Sequence, residues 1–120
     1  MKVKVRISLL NERGESFMGV GLVWLLERIE KYSSIRKAAM DMNMSYAKAH
    51  RIIVELEKNL GKKLVERKIG GIEGGGAILT DFGKLFLERY RMFQDDVESY
   101  SKGRFQKLKE FLLAQREKAE

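Results

Sequence analysis

Basic side chains at Arg36, Lys37, Lys48, Arg51, Arg67 and Lys68, interleaved with Ser45, Tyr46, Ala47 and His50, are the residues of this 120-residue chain best equipped to engage a partner. A guanidinium presents two parallel N–H donors that fit a guanine edge or a phosphate, and an ammonium is a point charge suited to phosphate. A tyrosine adds an apolar ring with a polar tip. From Ser33 to Lys68, nine basic residues stand against four acids, within a chain of net charge +7. Most of the excess charge therefore sits in about a third of the sequence. The chemistry it supports is recognition of a polyanion, with nucleic acid ahead of an anionic membrane surface.

Other chemistries find little footing. With no cysteine and one histidine, thiolate metal sites, disulfides and a cysteine nucleophile are excluded, and no metal or other cofactor is expected. Glu55 with Glu57, and Asp95 with Asp96, are neighbouring acids without a companion base, so they read as surface groups and not as a catalytic pair. Gly74-Gly75-Gly76 lacks the Gly-Lys-Ser/Thr ending of a phosphate loop. No catalytic residue is assigned, and the chain is not expected to be an enzyme.

The elements that must position the basic residues follow from periodicity. Lys2 to Leu9 alternates, with Val3, Val5, Ile7 and Leu9 on one face, which predicts a half-buried strand. Asn11 to Gly14 reads as a turn and Ser16 to Met18 as a short return strand. Leu22, Leu25, Leu26 and Ile29 recur at helical spacing over Gly21–Tyr32. Ser34 is placed to cap a short second helix, Ile35 to about Met42, rich in small residues. Asn43 suits a tight connection, Ser45 caps a third helix from Tyr46 to Leu60, and Gly61 stops it. Leu64–Lys68 and Ala77–Leu79 flank a glycine-rich loop as a β-hairpin. Thr80 opens a fourth helix to about Tyr100, which Ser101-Lys102-Gly103 should interrupt before a helical pattern resumes at Phe105.

Three helices in quick succession, with Ala38 and Ala39 allowing close approach and a tight turn before the third, fit a helix-turn-helix. The hairpin behind them is a wing. The fold class expected is mainly α with a small β component: a winged helix-turn-helix over residues 1–80, including the N-terminal strand, then a helical dimerisation region over 81–120. Base readout is expected from Tyr46, Ala47, His50 and Arg51. Phosphate contacts are expected from Arg36, Lys37, Lys48 and Lys68, with Ser45 and Arg67 beside them.

The stretch from about Val20 to Tyr90 resembles a known family. Ser34-Ile35 before Ala38-Ala39, Met44-Ser45-Tyr46, Leu64-Val65-Glu66-Arg67, the Gly70-Gly71 and Gly74-Gly75-Gly76-Ala77 pair, and Leu79-Thr80 followed by Gly83 are similar to the N-terminal DNA-binding domain of the molybdate-responsive ModE regulators. That domain is itself similar to the LysR-type winged helix. The resemblance implies a DNA-binding transcription regulator that dimerises through its first and last helices. Ile72 stands where the family usually carries a basic residue, and Glu73 where it carries glycine. The family's molybdate-binding modules follow the DNA-binding domain, and the roughly 20 residues after Tyr100 are too few to form one. Anion sensing is therefore expected to be absent, or supplied by another polypeptide.

Phe86, Tyr90, Phe93, Val97 and Tyr100 are spaced 4, 3, 4 and 3, the rhythm of a helix seam. With Leu22 and Leu26 of the first helix they form the expected homodimer interface. Two third helices about 34 Å apart would then meet an inverted repeat in double-stranded DNA. No apolar run reaches the ~18 residues of a membrane span and no signal peptide is evident, so a cytoplasmic location, on the nucleoid when DNA-bound, is expected. Two other readings stay open from the residues alone: a winged helix that binds protein, and non-specific chromosome coating.

Overall fold

The computed structural model describes residues 1–68 and 76–119. Its elements run β1 (Leu9–Leu10), β2 (Ser16–Met18), α1 (Val20–Tyr32), α2 (Ile35–Asp41), α3 (Tyr46–Leu60), β3 (Val65–Lys68), β4 (Gly76–Leu79) and α4 (Asp81–Ala119). The architecture is mainly helical, with two small antiparallel sheets: β1 with β2, and β3 with β4. It is the winged helix-turn-helix with a long final helix that the periodicity implies. The glycine loop with Ile72 and Glu73 lies outside the described residues.

The core closes where the apolar faces of α1, α2 and α3 meet. Leu25, Leu26 and Ile29 of α1, Ala38 and Ala39 of α2, and Ala49, Ile53 and Leu56 of α3 are buried there with Met18, Leu64 and Leu87. The alanines at the α2 crossing have no free surface, as close helix approach requires. Local signals set the helix limits. Lys37 N–H donates to Ser34 Oγ at 3.0 Å and Lys48 N–H to Ser45 Oγ at 3.1 Å, so both serines cap. Asn43 takes φ 56° in the turn between α2 and α3, a left-handed conformation that asparagine tolerates. Gly61 closes α3 with φ 72°.

The wing is tied to the helical core at both strands. Glu57 Oε2 accepts from Leu64 N–H at 2.8 Å, holding the start of β3 to α3. Glu57, which reads in the sequence as a surface acid, is thus a half-buried structural acceptor. In the hairpin Val65 pairs Leu79 and Lys68 pairs Gly76. Ala77 N–H donates to the Ser33 carbonyl at 2.9 Å, docking β4 onto the end of α1. A Cβ on Gly76 would lie 2.7 Å from that same carbonyl oxygen, so this crossing requires glycine.

Two elements differ from the sequence expectation. The paired N-terminal strand is confined to Leu9–Leu10, and residues 1–8 form no ladder. The alternation survives as burial: Val3, Val5 and Ile7 are half-buried while Lys2, Lys4 and Arg6 are exposed. This segment runs beside α4, where Val3 and Val5 share a cleft with Glu98 and Lys102. Period-two alternation reports one covered face; here a helix provides the cover instead of a neighbouring strand. Second, α4 is unbroken across Ser101-Lys102-Gly103. One glycine costs a helix about 1 kcal/mol relative to alanine, too little to stop one flanked by long helix-compatible runs and free of proline. At 39 residues α4 sets the 68 Å long axis of the molecule.

Candidate nucleic-acid interface

At 100° per residue, α3 turns Ala49, Ile53 and Leu56 inward and carries Ala47, Arg51 and Lys58 on the opposite side, all three exposed. Lys48 lies on the flank toward β2. Arg51 borders a shallow cleft there with Phe17, Gly19, Leu22 and Glu55, at the junction of β2 and α1. Among the described residues Arg51, Lys48 and Lys58 form no ion pair, so their charge is directed to solvent.

The other flank of α3 faces the wing strand β3 and carries ring contacts. Tyr46 stacks on His50 one turn later, with ring centroids 6.0 Å apart and planes 21° from parallel. The Arg36 guanidinium, from the first turn of α2, sits 5.2 Å from the Tyr46 ring centroid. The Arg67 guanidinium, from β3, sits 5.6 Å from it. His50 and Arg67 also border the groove between α3 and β3, floored by Ile53, Val54 and Val65. Tyr46, expected to read bases, is half-buried and packs against the core. Ser45 spends its oxygen on the cap. Lys37 and Lys68 are exposed, on α2 and at the outer end of β3.

The residues expected at the dimer interface fall into two groups. Leu26 is fully buried and Tyr90 is 4% exposed, so both belong to the protomer's own core. Seam spacing marks a stripe without distinguishing its inward from its outward edge. Tyr90 additionally donates its hydroxyl to the Ile7 carbonyl at 2.8 Å, and burial pushes its pKa up from 10.0. Leu22, Phe86 and Val97 are half-buried. Phe93 and Tyr100 are outward, at 47% and 69% exposure.

Sequence reasoning missed two residues. Lys58 follows Ala47 and Arg51 on one face at spacings of four and seven, a signal that was available in the sequence. Trp24, half exposed on α1, looks like a core residue by type alone. A large aromatic left in water on a helix beside α4 has the character of an interface anchor.

Comparisons with known proteins agree with this geometry. The chain is 37% identical over 75 residues to the molybdenum transport protein ModE of Azotobacter vinelandii, covering 62% of this chain and 28% of that protein. It is 39% identical over 66 residues to the DNA-binding transcriptional dual regulator ModE of Escherichia coli strain K12, covering 55% and 25%. It is 34% identical over 79 residues to the molybdenum-pterin-binding protein MopB of Rhodobacter capsulatus, covering 66% and 29%. The chain thus corresponds to less than a third of the length of each of these relatives. Residues 22–84, which run from α1 through the first turn of α4 and so contain the caps, the α2–α3 crossing and both wing strands, match the bacterial regulatory helix-turn-helix proteins of the lysR family. The chain belongs to that family.

Proposed function

We propose that the protein binds double-stranded DNA with sequence preference, as a homodimer, and regulates transcription through that binding. The observation that carries this reading is the outer face of α3: Ala47, Arg51 and Lys58 exposed in line, flanked by Arg36 and Arg67, with no ion pair among the described residues. A helix whose exposed outer face carries cations without ion-pair partners has the charge of a major-groove reader. Family membership supports the same reading, as does the similarity to the Escherichia coli DNA-binding transcriptional dual regulator ModE.

The dimer rests on the exposed apolar residues that one protomer leaves uncovered. Trp24 on α1 and Phe93, Tyr100, Leu108 and Phe111 on α4 each keep 47% or more of their surface in water. Burying apolar area stabilises by about 25 cal/mol per Å², and a second copy is the partner that a symmetric target requires. Residues 1–80 would carry the DNA-reading unit and 81–120 the dimerising helix. A cytoplasmic location follows from a chromosomal target, and no helix among the described residues is long and apolar enough to cross a membrane.

The test is selection of bound fragments from genomic DNA followed by sequencing. An inverted-repeat consensus is the expected result. Fragments without any consensus indicate non-specific coating, and no retained fragment at low salt indicates a protein-binding module.

A further inference from the structure

We propose that Tyr46 is a positioning residue that joins Arg36 of α2 and Arg67 of β3 into one guanidinium–aromatic clamp, and that this clamp seats backbone phosphates of a DNA strand beside the first turn of α3. The inference rests on the proposed DNA-binding function and gives one of its contacts a structure.

Arg36 and Arg67 come from different elements, yet both guanidinium carbons lie within 5.6 Å of a single ring centroid. They are therefore no farther apart than those two distances together allow, about 11 Å, close enough to meet phosphates of neighbouring nucleotides on one strand. Two cations held this close repel each other, and neither has a carboxylate partner among the described residues. The negative face of the tyrosine ring is the group that compensates them. An arginine held over a ring face keeps N–H donors on its far edge, where they can take an anion. The ring itself is fixed, since Tyr46 stacks on His50 and packs against the core. An exposed arginine loses much rotamer freedom when it binds phosphate; one already held at a ring has less to lose. The arrangement also couples the wing to α2, because Arg67 lies on β3 and Arg36 on α2.

A base-reading tyrosine would act through its hydroxyl. A clamp centre acts through its ring, and this difference separates the two roles. Tyr46→Leu keeps apolar packing and removes the ring, Tyr46→Phe keeps the ring and removes the hydroxyl, and Arg36→Ala removes one guanidinium. Each is measured on a fragment recovered from genomic selection and on an unrelated duplex of equal length, across a salt series, with thermal melts to show that the fold persists. Tyr46→Leu is expected to weaken both duplexes alike, by about two- to five-fold, with a salt slope shallower by up to about one. Tyr46→Phe is expected to retain binding to both, and Arg36→Ala with Tyr46→Leu to lose less than the two single losses added together, since only the Arg67 share is then left for the tyrosine to set. In the DNA-free protein, ring-current shifts on the δ-methylene protons of Arg36 and Arg67 are expected, and should vanish in Tyr46→Leu.

Additive losses in the double variant, a changed preference between duplexes in Tyr46→Phe, or unshifted arginine protons in the free protein would each overturn the clamp and leave DNA binding intact. A wild-type protein that binds neither duplex at low salt would remove the DNA-binding reading, and the clamp's ligand with it.

Discussion

The Tyr90 hydroxyl donates to the Ile7 carbonyl at 2.8 Å, joining residues 83 positions apart and fixing the N-terminal segment against the third turn of α4. Because residues 1–8 have no strand partner, this bond and the half-buried faces of Val3, Val5 and Ile7 are what hold them there. Tyr90→Phe should cost about 1 kcal/mol of stability and loosen the segment, seen as faster amide exchange over residues 3–7. The pH dependence has a definite sign. Burial raises the Tyr90 pKa above 10.0, so the folded chain keeps a proton that the unfolded chain releases. The contribution is complete below pH 10.0 and is lost as pH rises through the higher folded value. Denaturant melts from about pH 9 to about pH 11 should therefore fall more steeply for the wild type than for Tyr90→Phe.

The crossing of β4 over the end of α1 makes opposite predictions for its two residues. Gly76→Ala places a methyl 2.7 Å from the Ser33 carbonyl oxygen and should destabilise by about 1–3 kcal/mol. Ser33 itself holds φ 51°, a left-handed conformation that disfavours a side chain. Ser33→Gly should then gain about 1 kcal/mol in a denaturant melt.

Within α4, one substitution type should change sign with position. A Cβ at Gly83 runs into the Leu64 backbone carbonyl, whereas at Gly103 it meets open space. Gly103→Ala should stabilise by about 0.5–1 kcal/mol through helix propensity. Gly83→Ala should lose more than propensity returns, by at least about 1 kcal/mol net. Paired thermal melts check both.

Much of this fold was legible in the sequence because its signals are local. Ser34, Ser45 and Thr80 cap the helices that follow them, Asn43 takes the left-handed turn, and Ala38 and Ala39 are buried where α2 packs into the core. What the sequence did not reveal was which partner satisfies a pattern. The alternation of residues 3–9 fits a strand or a covered edge equally, and only the packing of α4 decides between them. The heptad-like spacing of Phe86 to Tyr100 does not say that Tyr90 turns inward to the protomer while Tyr100 turns outward. At the site, the basic residues were legible by type and spacing. The convergence of Arg36 and Arg67 on Tyr46 was not, since it depends on how β3 packs against α3.

The exposed edge of α4 gives a test of the proposed dimer. Phe93→Glu is expected to leave the helical far-ultraviolet signal of the protomer intact, since Phe93 is 47% exposed. Placing a charge at an apolar interface should weaken association at least tenfold, read by sedimentation at several concentrations. Association of unchanged strength would move the dimer contact off this face.

The most direct test of the outward face of α3 is the discrimination of Arg51→Ala between a selected DNA fragment and an unrelated duplex of the same length at fixed salt. The expected result is a loss of about 1–3 kcal/mol on the selected fragment with a much smaller change on the unrelated one, so that the preference collapses. An Arg51→Ala protein that keeps the wild-type preference and affinity would contradict the assignment of that face as the DNA reader.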